Sequence, residues 1–397
     1  MDGGVTAPKG FKAAGSACGI KKDNKPDIAV VSSDTMCTAV GMFTKNVVKG
    51  HSLQITMEHI NNEIKAIVIN SGNANACVGV KGKQDALEIA RLAAELLNCK
   101  SNQILFNSTG VIGKPLNMDA LRNGLMQSVQ SLSYNGGNIA ARAIMTTDTK
   151  VKEVGVAVEV NNTKVSIGGM AKGSGMIHPN MATMIGVITT DASISQELMD
   201  KAFKESVNSS FNRISVDGDT SVCDMVVLLS NAMAKNDIID NEQTNEYSLF
   251  KKALSVVCEH LAKEIVKDGE GATKIIEISV QGAKTPQNAY DIVNAVGKSP
   301  LVKTAIFGED ANWGRIITAA GYSGADFKTD LIDIYIGDLK VCHNGVAVDF
   351  DEQKAKQILE KNEVSITIQL NMGSYNEKMW VSDFSCDYVK INSNYRS

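Results

Sequence analysis

A chain of 397 residues with 44% hydrophobic content is long enough for two or three domain-sized units with large cores. Its 40 basic and 44 acidic residues are interspersed, the net charge is −4 and aromatic content is 5%, which excludes nucleic-acid binding and a basic membrane face. No apolar run reaches the about 18 residues of a membrane span, and the N-terminal MDGGVTAPKGFKAAG lacks an apolar signal core. The eight cysteines show neither C-x-x-C nor Cys/His metal spacing, so no metal is expected and each cysteine reads as a small buried hydrophobe. The expectation is a soluble, cytoplasmic protein.

In chain order, residues 3–11 form a turn-rich entry segment. Short strands are predicted at 28–32 and 40–43, then at 66–69, where a polar turn Asn70-Ser71-Gly72-Asn73-Ala74-Asn75 follows. Leu87, Ala90, Ala94 and Leu97 recur at helical spacing and predict an amphipathic helix over 84–97. A strand at 104–106 should end in the Gly-bearing turn 107–113. Such a turn can aim a hydroxyl and a backbone N–H at one point, as an oxyanion hole requires. A helix is expected over 118–132. Thr146-Thr147-Asp148-Thr149 would cap or end a local element, and 154–160 with 164–167 alternate as a hairpin around Asn161-Asn162.

That hairpin leads into GGMAKGSGMIHPNMATMIGVITTDA at 168–192. Glycines at 168, 169, 173 and 175 surround Lys172, and an apolar run follows from Met184 to Ile188. The pattern reads as a flexible loop carrying one cation and feeding a buried strand, with the Thr183 hydroxyl at its start. The G-x-x-x-x-G-K-[ST] order of a phosphate loop is missing. Taken alone, the threonine and the glycines are as well explained by strand propensity and turns.

Beyond it, Ser193 or Ser195 should cap a helix carrying Leu198, Ala202 and Phe203. Asp217 and Asp219 flank a glycine without the spacing of a calcium loop. A strand is expected at 225–229 and a long helix at 245–267, with Phe250, Leu254, Val257, Leu261 and Ile265 on one stripe. Glu270 then stands between two glycines. A helix near 289–296, strands at 302–307, 331–336, 340–342 and 346–348, a helix at 353–361 and strands at 364–370 and 379–384 complete the expected α/β chain. The last residues read as a frayed tail.

Several strings, GGVTAPKGF, NSGNANAC, STGVIG, TTDT, KGSGMIHPNMATM, GEG-x-x-K and GEDANWGRI, occur in order along the chain. Together they resemble the ornithine acetyltransferases, the glutamate N-acetyltransferase family of arginine biosynthesis. The resemblance implies an α/β fold with a layered α-β-β-α core and a smaller C-terminal α/β part. It implies autocatalytic cleavage between Ala182 and Thr183, giving an alpha chain 1–182 and a beta chain 183–397. Thr183 would then be an N-terminal nucleophile whose own α-amine, with a pKa of about 8, serves as base.

The same resemblance assigns the oxyanion hole to Thr109 and Gly110, and substrate contacts to Thr146, Lys172, Glu270, Asn392 and Ser397. Lys172 would meet a substrate carboxylate and Glu270 an amino group. The family often ends in threonine where this chain has Ser397. His178 is not taken as the base, because the threonine amine fills that role. The implied reaction moves acetyl from N-acetylornithine to glutamate through an acetyl-threonine. No cofactor is implied, and acetyl-CoA is left open as a second donor. Two alpha and two beta fragments would assemble. The competing readings are a related N-terminal-nucleophile amidase or aminopeptidase that transfers to water, and a non-catalytic amino-acid-binding protein.

Overall fold

The computed structural model describes residues 2–178 and 184–394. It divides into two compact units: described residues up to 176 with 184–212 and 219–265, and 177–178 with 213–218 and 266–394. The expected α/β class is borne out in both.

The first unit is built on β1 (Phe11–Ser16), β2 (Ile28–Phe43), β3 (Ile64–Asn73), β4 (Ile104–Val111), β5 (Lys152–Val160), β6 (Thr163–Lys172), β7 (Ile185–Thr190) and β9 (Met225–Ser230); β8 (Ile214–Ser215) belongs to the second. The strand order is β4-β3-β2-β9-β7-β6-β5, with β1 on β2. β2 explains the layering. Its first half pairs with β1 and β3, its last six residues pair with β9, and the ladder to β3 loses register between Ser32 and Cys37. Asp34 and Thr35 are exposed at that break, which is why the sequence reads as two short strands.

The two halves face each other across one apolar core. Phe11, Val31, Ile67 and Leu105 of one half meet Met170, Val187, Val227 and Leu229 of the other. The opposite face of the first half packs Ile28, Val68 and Phe106 against Ile89, Ala93 and Leu121 of the helices Val80–Leu96 and Met118–Gln130. On the second half, the helix Asn245–Lys267 presents Val257 and Leu261 to Gly169. This is the expected α-β-β-α order. β6 and β7 pair antiparallel although they flank Ala182–Thr183 in sequence, so fragments cut there would share one sheet.

The second unit carries the strands β10 (Ile275–Ala283), β11 (Asp333–Ile336), β12 (Leu339–His343), β13 (Val346–Ala347), β14 (Glu363–Gln369) and β15 (Tyr375–Ser382) in the order β13-β12-β11-β14-β10-β15-β8. Ile278, Ile334, Ile366 and Val381 pack there against Ile292 and Val296 of the helix Pro286–Lys298.

Several expectations are corrected. Residues 302–307 are not a strand but part of the helix Pro300–Phe307, capped by Ser299, whose Oγ accepts from Val302 N–H at 3.3 Å, with proline at its first turn. The 107–113 turn is largely strand, since β4 runs through Thr109 and Gly110 to Val111. Asn70–Asn73 likewise extend β3 rather than forming a turn. Residues 386–393 are a helix, not a frayed tail. Cys77 and Cys386 are exposed, so the buried-hydrophobe reading holds only for Cys37, Cys223, Cys258 and Cys342. No described helix is long and apolar enough to cross a membrane.

Candidate active site

In the first unit the site grows from the ends of parallel β3 and β4. Their register sets Ser71 against Thr109 and Gly72 against Gly110. Gly110 has φ +131°, and a Cβ there would lie 2.4 Å from the Gly72 carbonyl carbon and 2.6 Å from Asn73 N. Only glycine fits, for conformation and for space. Thr109 is buried beside it.

The asparagine-rich string supports this corner. Asn70 Oδ1 accepts from Ser108 Oγ at 2.6 Å, Asn73 Oδ1 accepts from Asn75 N–H at 2.8 Å, and Asn75 Nδ2 donates to Ser52 Oγ at 3.0 Å. Its role is the local bracing that asparagine loops supply.

Lys172 is the last residue of β6, not part of a flexible loop. It is buried, and the antiparallel register sets it opposite Ile185, two residues after Thr183. Its ammonium makes no hydrogen bond among the described residues. The Asp148 carboxylate interacts with it electrostatically. That carboxylate accepts from Lys152 Nζ at 2.8 Å, from Gly173 N–H at 2.6 Å and from Thr146 N–H at 2.9 Å. Burial pushes the Asp148 carboxyl up, but the Lys172 and Lys152 ammoniums outweigh it and hold the group well below the usual carboxylate range. Asp148 thus ties the Thr146 backbone to the end of β6.

A second ammonium stands near. Lys21 Nζ donates to the Pro26 carbonyl at 2.8 Å and to the Ala143 carbonyl at 3.3 Å, and its stem lies over Gly72. Burial lowers its pKa to about 8, with Asp27 raising and Lys172 lowering it further. Lys172 is thus coupled electrostatically to the Lys21 ammonium and to the carboxyls of Asp148 and Asp224.

Sequence reasoning missed Lys21 and Asp148 as site residues. Asp148 had a visible signal, since it stands inside TTDT; Lys21 sits among two other lysines and an aspartate pair at 21–27 and gave none.

In the second unit, Glu270 is buried and accepts from Asn392 Nδ2 at 2.8 Å. The helix Cys386–Ser393 that carries Asn392 starts against the GEG turn. Ser385 Oγ donates to the Gly271 carbonyl at 2.6 Å, and Gly271, at φ +69°, leaves no room for a Cβ beside Tyr388 N. The two sequence-distant residues are therefore one hydrogen-bonded pair.

His178 hydrogen-bonds Ser215 Oγ at 3.3 Å, and burial together with the Lys298 charge lowers its pKa to about 4. At neutral pH it is uncharged. Ala182, Thr183 and Ser397 lie outside the described residues. No cluster of potential metal ligands occurs among the described residues.

The first unit is thus a layered α/β fold with a glycine-only strand corner and a buried lysine at the end of β6. The ArgJ family model matches residues 12–397. The chain is 48% identical to an arginine biosynthesis bifunctional protein ArgJ of Caldanaerobacter subterraneus, covering 100% of this chain and 99% of the relative. It is also 48% identical to the protein of that name from Symbiobacterium thermophilum, again covering 100% and 99%. A crystal structure of the Bacillus halodurans ArgJ bifunctional protein is similar at 43% identity and a TM-score of 0.50, over 52% of this chain and 97% of that one. The chain belongs to the ArgJ family.

Proposed function

We propose that this protein is a self-cleaving acyltransferase of arginine biosynthesis that moves an acetyl group from N2-acetylornithine to glutamate. Thr183 attacks the acetyl carbonyl, the developing oxyanion rests on Thr109 and Gly110, and ornithine leaves. Glutamate then takes the acetyl group from the acyl-threonine. Scission of the Ala182–Thr183 bond supplies both the nucleophile's free amine and the fragments 1–182 and 183–397.

Lys172 holds the substrate carboxylate and the Thr146 segment lines the same region. Glu270, with Asn392 and the terminal Ser397, takes the substrate amino group. Acetyl-CoA serves as a second donor, in keeping with the bifunctional name of the relatives. Two copies of each fragment assemble in the cytoplasm.

The observation that carries this reading is the register of Lys172 against Ile185: a buried ammonium without a hydrogen bond, two residues along from Thr183, in a chain matched by the family model over residues 12–397. Incubation with N-acetylornithine and isotopically labelled glutamate tests it. Labelled N-acetylglutamate is the expected product. Acetate release without transfer would indicate the amidase reading, and no turnover with ligand binding intact would indicate a binding protein.

A further inference from the structure

β4 ends the strand order of its sheet, so one of its edges has no neighbouring strand. The helix His51–His59 covers that edge with a polar stripe. His59 Nδ1 donates to the Ile104 carbonyl at 2.8 Å. The Thr56 hydroxyl accepts from Phe106 N–H and donates to the Phe106 carbonyl, both at 2.8 Å. The Ser52 hydroxyl lies 2.7 Å from that of Ser108. Ser52, Thr56 and His59 share one helix face and meet alternate residues of the strand. Ser52, Thr56 and Ser108 are wholly buried. Side chains of one helix thus stand in for the missing strand.

The Ser52 link has a direction. Ser108 gives its one hydroxyl hydrogen to Asn70 Oδ1 at 2.6 Å, so Ser52 must donate to Ser108. Asn75 Nδ2 in turn donates to Ser52 Oγ and to the Gly82 carbonyl, both at 3.0 Å. The relay runs from Asn75 through Ser52 and Ser108 to Asn70, and it reaches β4 at the residue before Thr109.

Backbone alternation carries this bracing to the corner. Ile104 and Phe106 face the covered edge, whereas the Val111 carbonyl, on the opposite side, accepts from Ala74 N–H at 3.0 Å. Gly110 therefore turns to the same edge as Phe106. Ser52 is the second residue of its helix, so Gly110 falls beyond the helix end, where it is half-buried. We propose that Ser52 is a positioning residue for acyl transfer, its hydroxyl locking the end of β4 so that the Gly110 N–H meets the developing oxyanion. This rests on the reading of Thr109 and Gly110 as the oxyanion hole. Such a donor is effective because it is aimed before the charge appears, and the relay removes the strand's freedom one residue before the hole.

Ser52→Ala leaves Ser108 without its donor. Measured per cleaved chain, kcat should fall about tenfold while KM for N-acetylornithine stays within about twofold. Thr56→Ala strips a buried hydroxyl from the same helix one turn away. It should lower the denaturation midpoint at least as much, yet keep kcat within about twofold. Ser108→Ala cuts the same link from the strand side and decides by the same criterion if Ser52→Ala fails to fold. Where both fold, the double variant should lose no more than about the larger single loss, as groups acting as one unit do.

An unchanged kcat in Ser52→Ala, an equal fall in Thr56→Ala, or losses that multiply in the double variant each overturn the proposal. Gly110→Ala separates it from the reading beneath it. If that variant keeps full activity, the oxyanion hole lies elsewhere and the reading itself has failed.

Discussion

Lys172 stands directly across the antiparallel ladder from Ile185, so the one buried ammonium that ends β6 is fixed beside the strand that Thr183 introduces. This relationship depends on backbone register, not on a loop. A one-residue slip would turn the lysine to the other face of the sheet.

Lys172→Met keeps the length of the side chain and removes its charge. Losing a charge-assisted bond of about 1.5–3 kcal/mol to a carboxylate should raise KM for glutamate about 10- to 150-fold. Steady-state kinetics with glutamate as the varied substrate checks this; an unchanged KM removes Lys172 from the binding site.

Gly110→Ala should be among the most damaging single-methyl changes in the chain. The added Cβ would meet the Gly72 and Asn73 backbones at 2.4 and 2.6 Å, and φ +131° disfavours any side chain. Acyl transfer should fall by at least the about 10²–10³-fold typical of a lost oxyanion donor. A kcat within about twofold of wild type would contradict the role given to this corner.

Asp148→Asn leaves Lys152, 2% exposed, without its carboxylate. Breaking a buried pair by removing one partner should cost about 3–5 kcal/mol of stability, read as a lower denaturant midpoint with an unchanged slope. The pH dependence has a definite sign. The folded pKa of Asp148 is depressed, so its contribution is fully present above the unfolded carboxylate pKa of about 4 and is lost as pH falls below it.

His178 acts in the opposite sense to a histidine that gains a partner. Its folded pKa is lowered to about 4 from the ordinary histidine value of 6.5, so the unfolded chain binds the extra proton first. Stability should be fully present above about 6.5 and decline as pH falls from there toward 4. In His178→Gln this part of the decline should disappear from a series of denaturation curves; an identical slope would mean the ring is not desolvated.

Much of the fold was legible because its elements are strongly periodic or sharply capped. The helix Asn245–Lys267 and the hairpin of β5 and β6 follow directly from their patterns. The helix Pro300–Phe307 was misread because Val302, Ala305 and Ile306 also suit a buried strand; the Ser299-Pro300 start was the overlooked signal. β2 was split in two because its polar break at 33–36 looks like a turn, although the ladder resumes with β9.

At the site, the strings marked Thr109, Gly110, Lys172 and Glu270, but tertiary pairing alone joins Asn392 to Glu270 and Asp224 to Met184. Such contacts span 122 and 40 residues, and no local periodicity encodes them.

Mass analysis of denatured, active protein purified from cells tests the central claim most directly. Two species corresponding to residues 1–182 and 183–397, with Thr183 at the new N-terminus, are expected. Fully active protein running as one unbroken 397-residue chain would leave the threonine hydroxyl without its base and contradict the account.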